Sequence, residues 1–186
     1  MKKLRYLVLV LVCCLAFGSS KSKGNDSVNY FITKEGDSVQ VQKFISIDAQ
    51  YVFYKDMTGK SRTMAQSKIS RLQGKLFDGV HFYINLPIMN MKMTRLQDVI
   101  ATNDNYILTM YGASDGWYAY IWDKQYENKE YKIYMGSKHF QQVAMEKYLL
   151  KYFGSCKELI AKMNANIEAG RVCSRGISNY NCASTE

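Results

Sequence analysis

Histidine and proline are scarce in this chain of 186 residues: the only histidines are His81 and His139, and the only proline is Pro87. Histidine is the side chain that most readily exchanges protons near neutral pH, so few groups are available for acid–base catalysis. The sequence also lacks HExxH, CxxC, GxGxxG, P-loop and EF-hand spacings, and its acidic residues form no pair typical of glycosidases. These absences favour a non-enzymatic protein without a cofactor.

The first eighteen residues have the pattern of a secretory signal peptide. A basic segment with Lys2 and Arg5 precedes an uncharged apolar run at 6–17, and Ala16 and Gly18 supply the small residues of a cleavage site. The run is shorter than the roughly 20 residues that a membrane-spanning helix needs. We therefore expect cleavage after Gly18 and export to the periplasm or the medium.

Lipoprotein processing at Cys13 or Cys14 is the alternative, and it would leave a lipid-anchored envelope protein. A lipobox has a small residue directly before the cysteine, whereas Val12 and Cys13 stand there in this chain. The small-residue cleavage pattern is met further along, at Gly18, and this favours cleavage without lipidation.

The net charge is +9 and falls to +6 when the signal peptide is removed, because that segment carries three basic residues and no acidic one. The basic residues are scattered and never form a run of five or six, so we predict no nucleic-acid partner. Outside the signal peptide, no apolar run is long enough for a membrane span. An envelope protein or a polysaccharide is the expected partner.

Three cysteines follow the signal peptide, all near the end of the chain: Cys156, Cys173 and Cys182. An odd number in an oxidising compartment predicts one disulfide and one spare thiol. We favour a bridge from Cys156 to Cys182, which would pin the C-terminal tail to the helix that starts near Cys156. A structural role is expected, because neither histidine is close in sequence to activate a thiol.

Short strands and tight turns dominate residues 28–73. Strands are predicted at 28–34, from Val39 to Ile47, at 51–55 and at 61–66, without an intervening helix. This order is typical of a small antiparallel sheet or an SH3-like barrel.

The rest of the chain mixes strands and helices. The spacing of Thr94 and Gln97 predicts a capped helix through Ala101. Residues 106–111 and 117–123 should pair as a hairpin, followed by a strand at 131–135. Two C-terminal helices follow, the first over 138–152 and the second beginning at a capping box at Ser155 and ending near Gly170.

The sequence therefore predicts an α+β protein in which a small antiparallel SH3-like module precedes an antiparallel hairpin or sheet and two C-terminal helices. The expected divisions are a signal peptide (1–18), a polar linker (19–27), the β module (28–73), an α+β body (74–170) and a cysteine-containing tail (171–186).

Several strings of the chain resemble small exported bacterial proteins of unknown function. They are the Lys34–Asp37 turn, Tyr51–Lys55, Ser67–Ile69, Ile121–Asp123 and Tyr152–Leu159. The resemblance implies the same order of sheet module and α+β segment, and it carries no activity with it.

Residues 112–116 match G-x-S-x-G, the pattern of the nucleophile elbow of serine hydrolases, with Ser114 as nucleophile and His139 as its base. A nucleophile elbow leads from a strand into a helix, whereas Trp117 begins a predicted strand here. A plain hairpin loop is therefore the favoured interpretation, and a small serine hydrolase is the alternative function.

Met89, Met91 and Met93 alternate along the chain, and with His81 they offer soft ligands for Cu(I). Methionines at such positions are also ordinary core residues, which is the favoured interpretation.

The hairpin strand at 117–123 carries an unusual density of aromatic residues. Tyr118, Tyr120 and Trp122 project from one face of it. If exposed, these rings would form a platform for sugars or for a protein partner, and a face buried under a helix is the other possibility. We take this face as the candidate binding site.

Mass spectrometry of the mature N-terminus, after expression in a bacterium with a general secretory system, tests the predicted processing. A free amine on Ser19 is expected, because the small residues before it fit the signal peptidase. A diacylglyceryl group on Cys13 or Cys14 would contradict this prediction.

Overall fold

The computed structural model describes residues 29–76, 79–88, 93–124 and 129–182. The predicted signal peptide, the linker, Met89 and Met91 lie outside these ranges. No helix within them has the length and apolar character that crossing a membrane requires.

Twelve strands and a C-terminal helical region make up the described chain. The strands are β1 (Tyr30–Thr33), β2 (Ser38–Gln40), β3 (Lys43–Ile47), β4 (Tyr51–Lys55), β5 (Ser61–Ala65), β6 (Ile69–Leu76), β7 (Gly79–Pro87), β8 (Thr94–Thr102), β9 (Tyr106–Ala113), β10 (Gly116–Asp123), β11 (Lys129–Tyr134) and β12 (Tyr180–Asn181). A 3₁₀ turn, Gln66–Lys68, precedes β6. The helical region comprises α1 (Lys138–Ala144), a π-helical turn (Met145–Leu149), α2 (Leu150–Phe153) and α3 (Lys157–Glu168).

The strands form one large and one small sheet, so the class is α+β with mainly antiparallel pairing. The large sheet has the order β11-β10-β9-β8-β7-β6-β1-β2, and β12 adds to β8 in parallel. The small sheet has the order β3-β4-β5. Strand β6 pairs with β1 on one side and β7 on the other, so the large sheet continues across the predicted division between residues 73 and 74.

The strand β8 includes residues 94–101, so the helix predicted there is wrong. Gln97, which the capping pattern assigned to the helix start, is fully buried and accepts a hydrogen bond from Thr109 Oγ1 at 2.6 Å across the sheet. Val99, Ile100 and Thr102 are β-branched, a type that suits strands. Tertiary packing between β7 and β9 thus outweighs a four-residue capping pattern.

The single strand predicted from Val39 to Ile47 is two strands in different sheets. The amide of Val41 donates to Asn29 O (3.1 Å), beside the large sheet, and the amide of Gln42 donates to Lys55 O (2.9 Å), at the end of β4. The chain therefore crosses from one sheet to the other between these two neighbours.

The hairpin of β9 and β10 agrees closely with its prediction. Its register runs without a shift from Tyr106 opposite Asp123 to Ala113 opposite Gly116. Helix α3 begins one residue later than its predicted capping box indicates: its N-cap residue is Cys156 and not Ser155, and Cys156 provides no side-chain cap.

Two apolar layers cover the same face of the large sheet. The small sheet packs over β1 and β6 through a cluster that includes Phe31, Phe44, Val52 and Leu72. The helices pack over β8 to β11 through a larger cluster of buried side chains: Ile100, Leu108, Met110, Ala119, Ile121, Ile133, Met145, Leu149, Phe153, Leu159, Met163 and Ile167. A third cluster, with Val99, Ile107, Tyr120 and Trp122, lies on the opposite face.

Gly74 allows the small sheet to approach β6. A Cβ at this position would overlap the ring of Phe44, which is 6% exposed. We therefore predict that Gly74→Ala lowers the free energy of unfolding by about 1–3 kcal/mol through overpacking.

Urea denaturation measures this change, with Gly112→Ala as the matched control, because a Cβ at Gly112 meets only ordinary contacts at 3.4 Å or more. Equal stability of Gly74→Ala and the wild-type protein would contradict the prediction.

Candidate functional site

A cleft of about 700 Å³ lies between the two layers that cover the large sheet. One wall is residues 46–49, the end of β3 and the start of the loop to β4, and the other is formed by Val172, Ser174 and Arg175 after α3. The volume is within the range of about 300–1,000 Å³ that is usual for small-ligand sites. The cleft is therefore the candidate binding site.

The floor of the cleft is the face of the large sheet between the two layers. Strand β8 explains why this floor is polar. Its residues Leu96, Asp98 and Ile100 follow one another on the floor side: Leu96 packs with the small sheet and Ile100 with the helices. Asp98 comes between them, where neither layer covers the sheet, and it lines the cleft. A carboxylate is tolerated there because it keeps hydrogen-bond partners.

Asp98 is paired with a histidine from the neighbouring strand. Nδ1 of His81 donates to Oδ2 of Asp98 at 2.7 Å, and the two side chains are 11% and 16% exposed. Tyr83, directly opposite Asp98 in the register, stacks on the His81 ring with centroids 6.0 Å apart. The carboxylate fixes the orientation of the imidazole, so the floor presents ordered hydrogen-bonding groups.

Trp117 provides an aromatic surface at one end of the cleft. It lies opposite Gly112 in the hairpin register and is 44% exposed. Three atoms of its six-membered ring lie 3.4–3.6 Å from where a Cβ of Gly112 would be. Because Gly112 has no side chain, the indole rests against β9 while much of its surface stays open to solvent.

Gln66 fixes the loop that forms the first wall. This buried side chain donates from Nε2 to Asp48 O, and its Oε1 accepts from the amide of Leu96 at 2.8 Å. Within the loop, Asp48 Oδ1 accepts from the amides of Gln50 (2.8 Å) and Tyr51 (2.7 Å). These backbone donors lower the pKa of Asp48, so it carries a negative charge at the edge of the cleft.

Hydrogen bonds from two helices fix the second wall. The amide of Cys173 donates to Oε1 of the buried Gln141 in α1 at 2.8 Å. Asn166 in α3 donates to the carbonyls of Cys173 and Arg175, both at 2.9 Å. Arg175 is exposed and adds a positive charge at the rim, opposite the Asp48 loop.

Cys156 and Cys182 lie at disulfide distance, with their Cα atoms 5.4 Å apart, and this is the pair that the sequence favours. Among the described residues the other cysteine is Cys173, whose thiol is fully buried. Burial raises the pKa of Cys173 to about 12, which leaves almost no thiolate at neutral pH.

Ser114 occupies the exposed turn between β9 and β10 and also lines the cleft. The turn joins two strands, so it lacks the helix that follows the serine of a nucleophile elbow. His139 is exposed near the start of α1 and does not line the cleft. Within the described chain, no hydrogen bond joins these two side chains.

Of the four predicted copper ligands, the structure describes His81 and Met93. Met93 is 44% exposed, whereas His81 is largely buried in the floor of the cleft. Across the described ranges, no three His, Cys, Asp or Glu side chains gather in a way suited to a metal ion.

The aromatic face chosen from the sequence lies on the side of the sheet opposite the cleft. Tyr120 and Trp122 are 0% and 2% exposed, so a partner reaches neither ring in this arrangement. Tyr118 is half-buried and donates from its hydroxyl to Asp115 Oδ2 at 2.5 Å. This hydrogen bond is the main cause that raises the pKa of Tyr118 to about 12.

Sequence reasoning missed Asp98 and Trp117 as site residues. Asp98 was missed because a helix was predicted where β8 lies. Trp117 was missed because the binding face was assigned to the opposite side of its strand. The alternation that places Trp117 opposite Tyr118, Tyr120 and Trp122 was nevertheless readable from the sequence.

Comparison with known proteins adds no further assignment: no protein-family model, no curated protein and no solved structure matches the chain.

Alkylation of Cys173 tests its burial at the base of the second wall. In the native protein at pH 8, we expect iodoacetamide to leave Cys173 unmodified, because the raised pKa and burial withhold the thiolate. Peptide mass spectrometry measures the modification, and the same protein in guanidinium chloride is the control. Equal modification of native and unfolded protein would show that the thiol is accessible.

Proposed function

We propose that the protein is a non-enzymatic, exported binding module whose cleft holds part of a carbohydrate. The observation that carries the proposal is the exposed indole of Trp117 in the same cleft as the paired side chains of His81 and Asp98. The apolar face of a sugar ring stacks on an aromatic surface, while its hydroxyl groups need ordered donors and acceptors. The cleft combines both kinds of group.

The position of the cleft on a sheet face favours a carbohydrate over an extended peptide. Peptides that join a sheet add to an open edge and use its unpaired backbone groups. In the floor of the cleft, β8 pairs with β7 on one side and with β9 on the other. The backbone groups between these strands are therefore already used, and a peptide strand cannot add there. Recognition must therefore come from side chains, which suits a ligand rich in hydroxyl groups.

The predicted signal peptide supports this ligand class, because export would bring the protein to the polysaccharides of the cell envelope. The sequence-based hypothesis left a protein or a polysaccharide open as the partner and placed the contact on Tyr118, Tyr120 and Trp122. We propose Trp117, from the other face of the same strand, in their place.

We also infer that the predicted β module is SH3-like and that two helices follow β11. Pairing of β1 with β6, the separate β3-β4-β5 sheet and the 3₁₀ turn before β6 support the first inference. The second is supported by the right-handed helical backbone of Ala144 and Leu150 at either end of the π-helical turn, which joins α1 to α2.

Replacement of Trp117 tests the proposed binding site. We expect isothermal titration calorimetry with chitotetraose, cellotetraose, maltotetraose and peptidoglycan disaccharides to detect at least one ligand. Trp117→Ala should weaken that binding roughly tenfold or more, because the stacking surface is lost. Phe140→Ala is the matched control, since Phe140 is 48% exposed outside the cleft.

Acrylamide quenching gives a second measurement, because the chain has only two tryptophans and Trp122 is buried. A bound saccharide should protect Trp117 from the quencher. The proposal fails if no saccharide binds, or if Trp117→Ala binds as well as the wild-type protein. Loss of a protein partner by Trp117→Ala, without saccharide binding, would assign the cleft to a protein instead.

A further inference from the structure

Ser178 lies where two strands share one edge of β8. Strand β7 pairs with β8 as far as Asp98, which lies opposite Tyr83. Beyond this point β12 takes the same side of β8, pairing with Ala101 and Thr102 in parallel. The junction between β7 and β12 is thus directly beside Asp98, and the chain enters it just before β12.

The hydroxyl of Ser178 connects three parts of this junction. Its oxygen accepts from the amide of Phe82 in β7 at 3.3 Å. The hydroxyl donates to Oδ1 of Asp98, with 3.2 Å between the two oxygens. The carbonyl oxygen of Val99 is a second acceptor, 3.4 Å from Ser178 Oγ. The other oxygen of the same carboxylate, Oδ2, accepts from His81. Ser178 and His81 therefore hold Asp98 from its two oxygens.

The segment that carries Ser178 is anchored on both sides of the junction. The amides of Asn179 and Cys182 donate to the carbonyls of Val99 and Thr102, both at 2.7 Å. The Cys156–Cys182 pair attaches the same segment to the start of α3. Tyr180 adds a hydrogen bond from its hydroxyl to Glu158, in the first turn of that helix.

We propose that Ser178 is a positioning residue of the cleft. Its hydroxyl fixes the Asp98 carboxylate, and through it the His81 ring, in the orientation that binds the ligand. The Cys156–Cys182 disulfide keeps the segment bearing this hydroxyl beside β8. The assignment of a ligand to the cleft rests on the proposed function, whereas the orientation of His81 is independent of any ligand.

Nuclear magnetic resonance of the two histidine rings tests the positioning directly. We expect Ser178→Ala to shift the ring ¹⁵N resonances of His81, because Asp98 loses its hydrogen bond from the Ser178 hydroxyl. His139 is exposed and does not line the cleft, so it is the internal control in the same spectrum. Ser178→Thr keeps the hydroxyl and should retain the wild-type spectrum of His81.

An unchanged His81 spectrum in folded Ser178→Ala would overturn the inference. So would a shift in Ser178→Thr as large as in Ser178→Ala, because that result would assign the effect to packing and not to the hydroxyl.

Binding of the tetrasaccharides and peptidoglycan disaccharides separates this inference from the proposed function. Ser178→Ala should weaken the binding about fivefold, the effect of one hydrogen bond, and Ser178→Thr should restore it. Wild-type affinity in Ser178→Ala would overturn the role in binding. If the wild-type protein binds none of these probes, the proposed function fails, and the His81 spectrum alone still decides the positioning.

The disulfide is tested with the double variant Cys156→Ser/Cys182→Ser. We expect faster hydrogen exchange at the amides of residues 179 and 182, since their segment is then anchored by hydrogen bonds alone. The His81 resonances should move in the direction seen for Ser178→Ala. Wild-type exchange rates together with a wild-type His81 spectrum would overturn the role of the disulfide.

Discussion

Two apolar layers rest on one face of a single sheet, and β8 passes beneath both of them. The strand contacts one layer through Leu96 and the other through Ile100, and the space between the layers falls on Asp98. A one-residue slip of β8 would exchange its two faces and move the carboxylate away from the cleft. On the opposite face, Trp122 Nε1 donates to Thr109 Oγ1 at 3.1 Å, and Thr109 donates to Gln97. These buried polar contacts oppose such a slip, because it would leave them unpaired.

Each wall of the cleft is fastened by one buried glutamine. Gln66 connects the small sheet to β8, and Gln141 connects α1 to the backbone at Cys173. A glutamine amide both donates and accepts, so one side chain can satisfy backbone groups of two segments. The walls are loops and turns, yet both are attached to regular structure. The glutamine hydrogen bonds thus give the two irregular walls fixed positions, although no continuous apolar contact joins one wall to the other.

Much of the fold could be read from the sequence where local patterns are unambiguous. The β9–β10 hairpin has alternating apolar residues around a turn, and its register follows directly from the position of that turn. Residues 94–102 were harder, because Thr94 and Gln97 imitate a capping pattern while the strand is buried on both faces and shows no alternation of polar and apolar residues. The cleft itself was beyond local reasoning. Tyr83 and Asp98 meet through strand pairing, and Ser178 reaches Asp98 from 80 residues further along the chain.

That separation has a consequence for the order in which the molecule is completed. Synthesis proceeds from the N-terminus, so the edge of β8 beyond Asp98 stays unoccupied until residues 179–182 are made. Contacts of long sequence separation form late, because closing a long loop costs conformational entropy before any contact is gained. A nascent chain can thus build both layers and most of the sheet before the hydroxyl of Ser178 reaches Asp98.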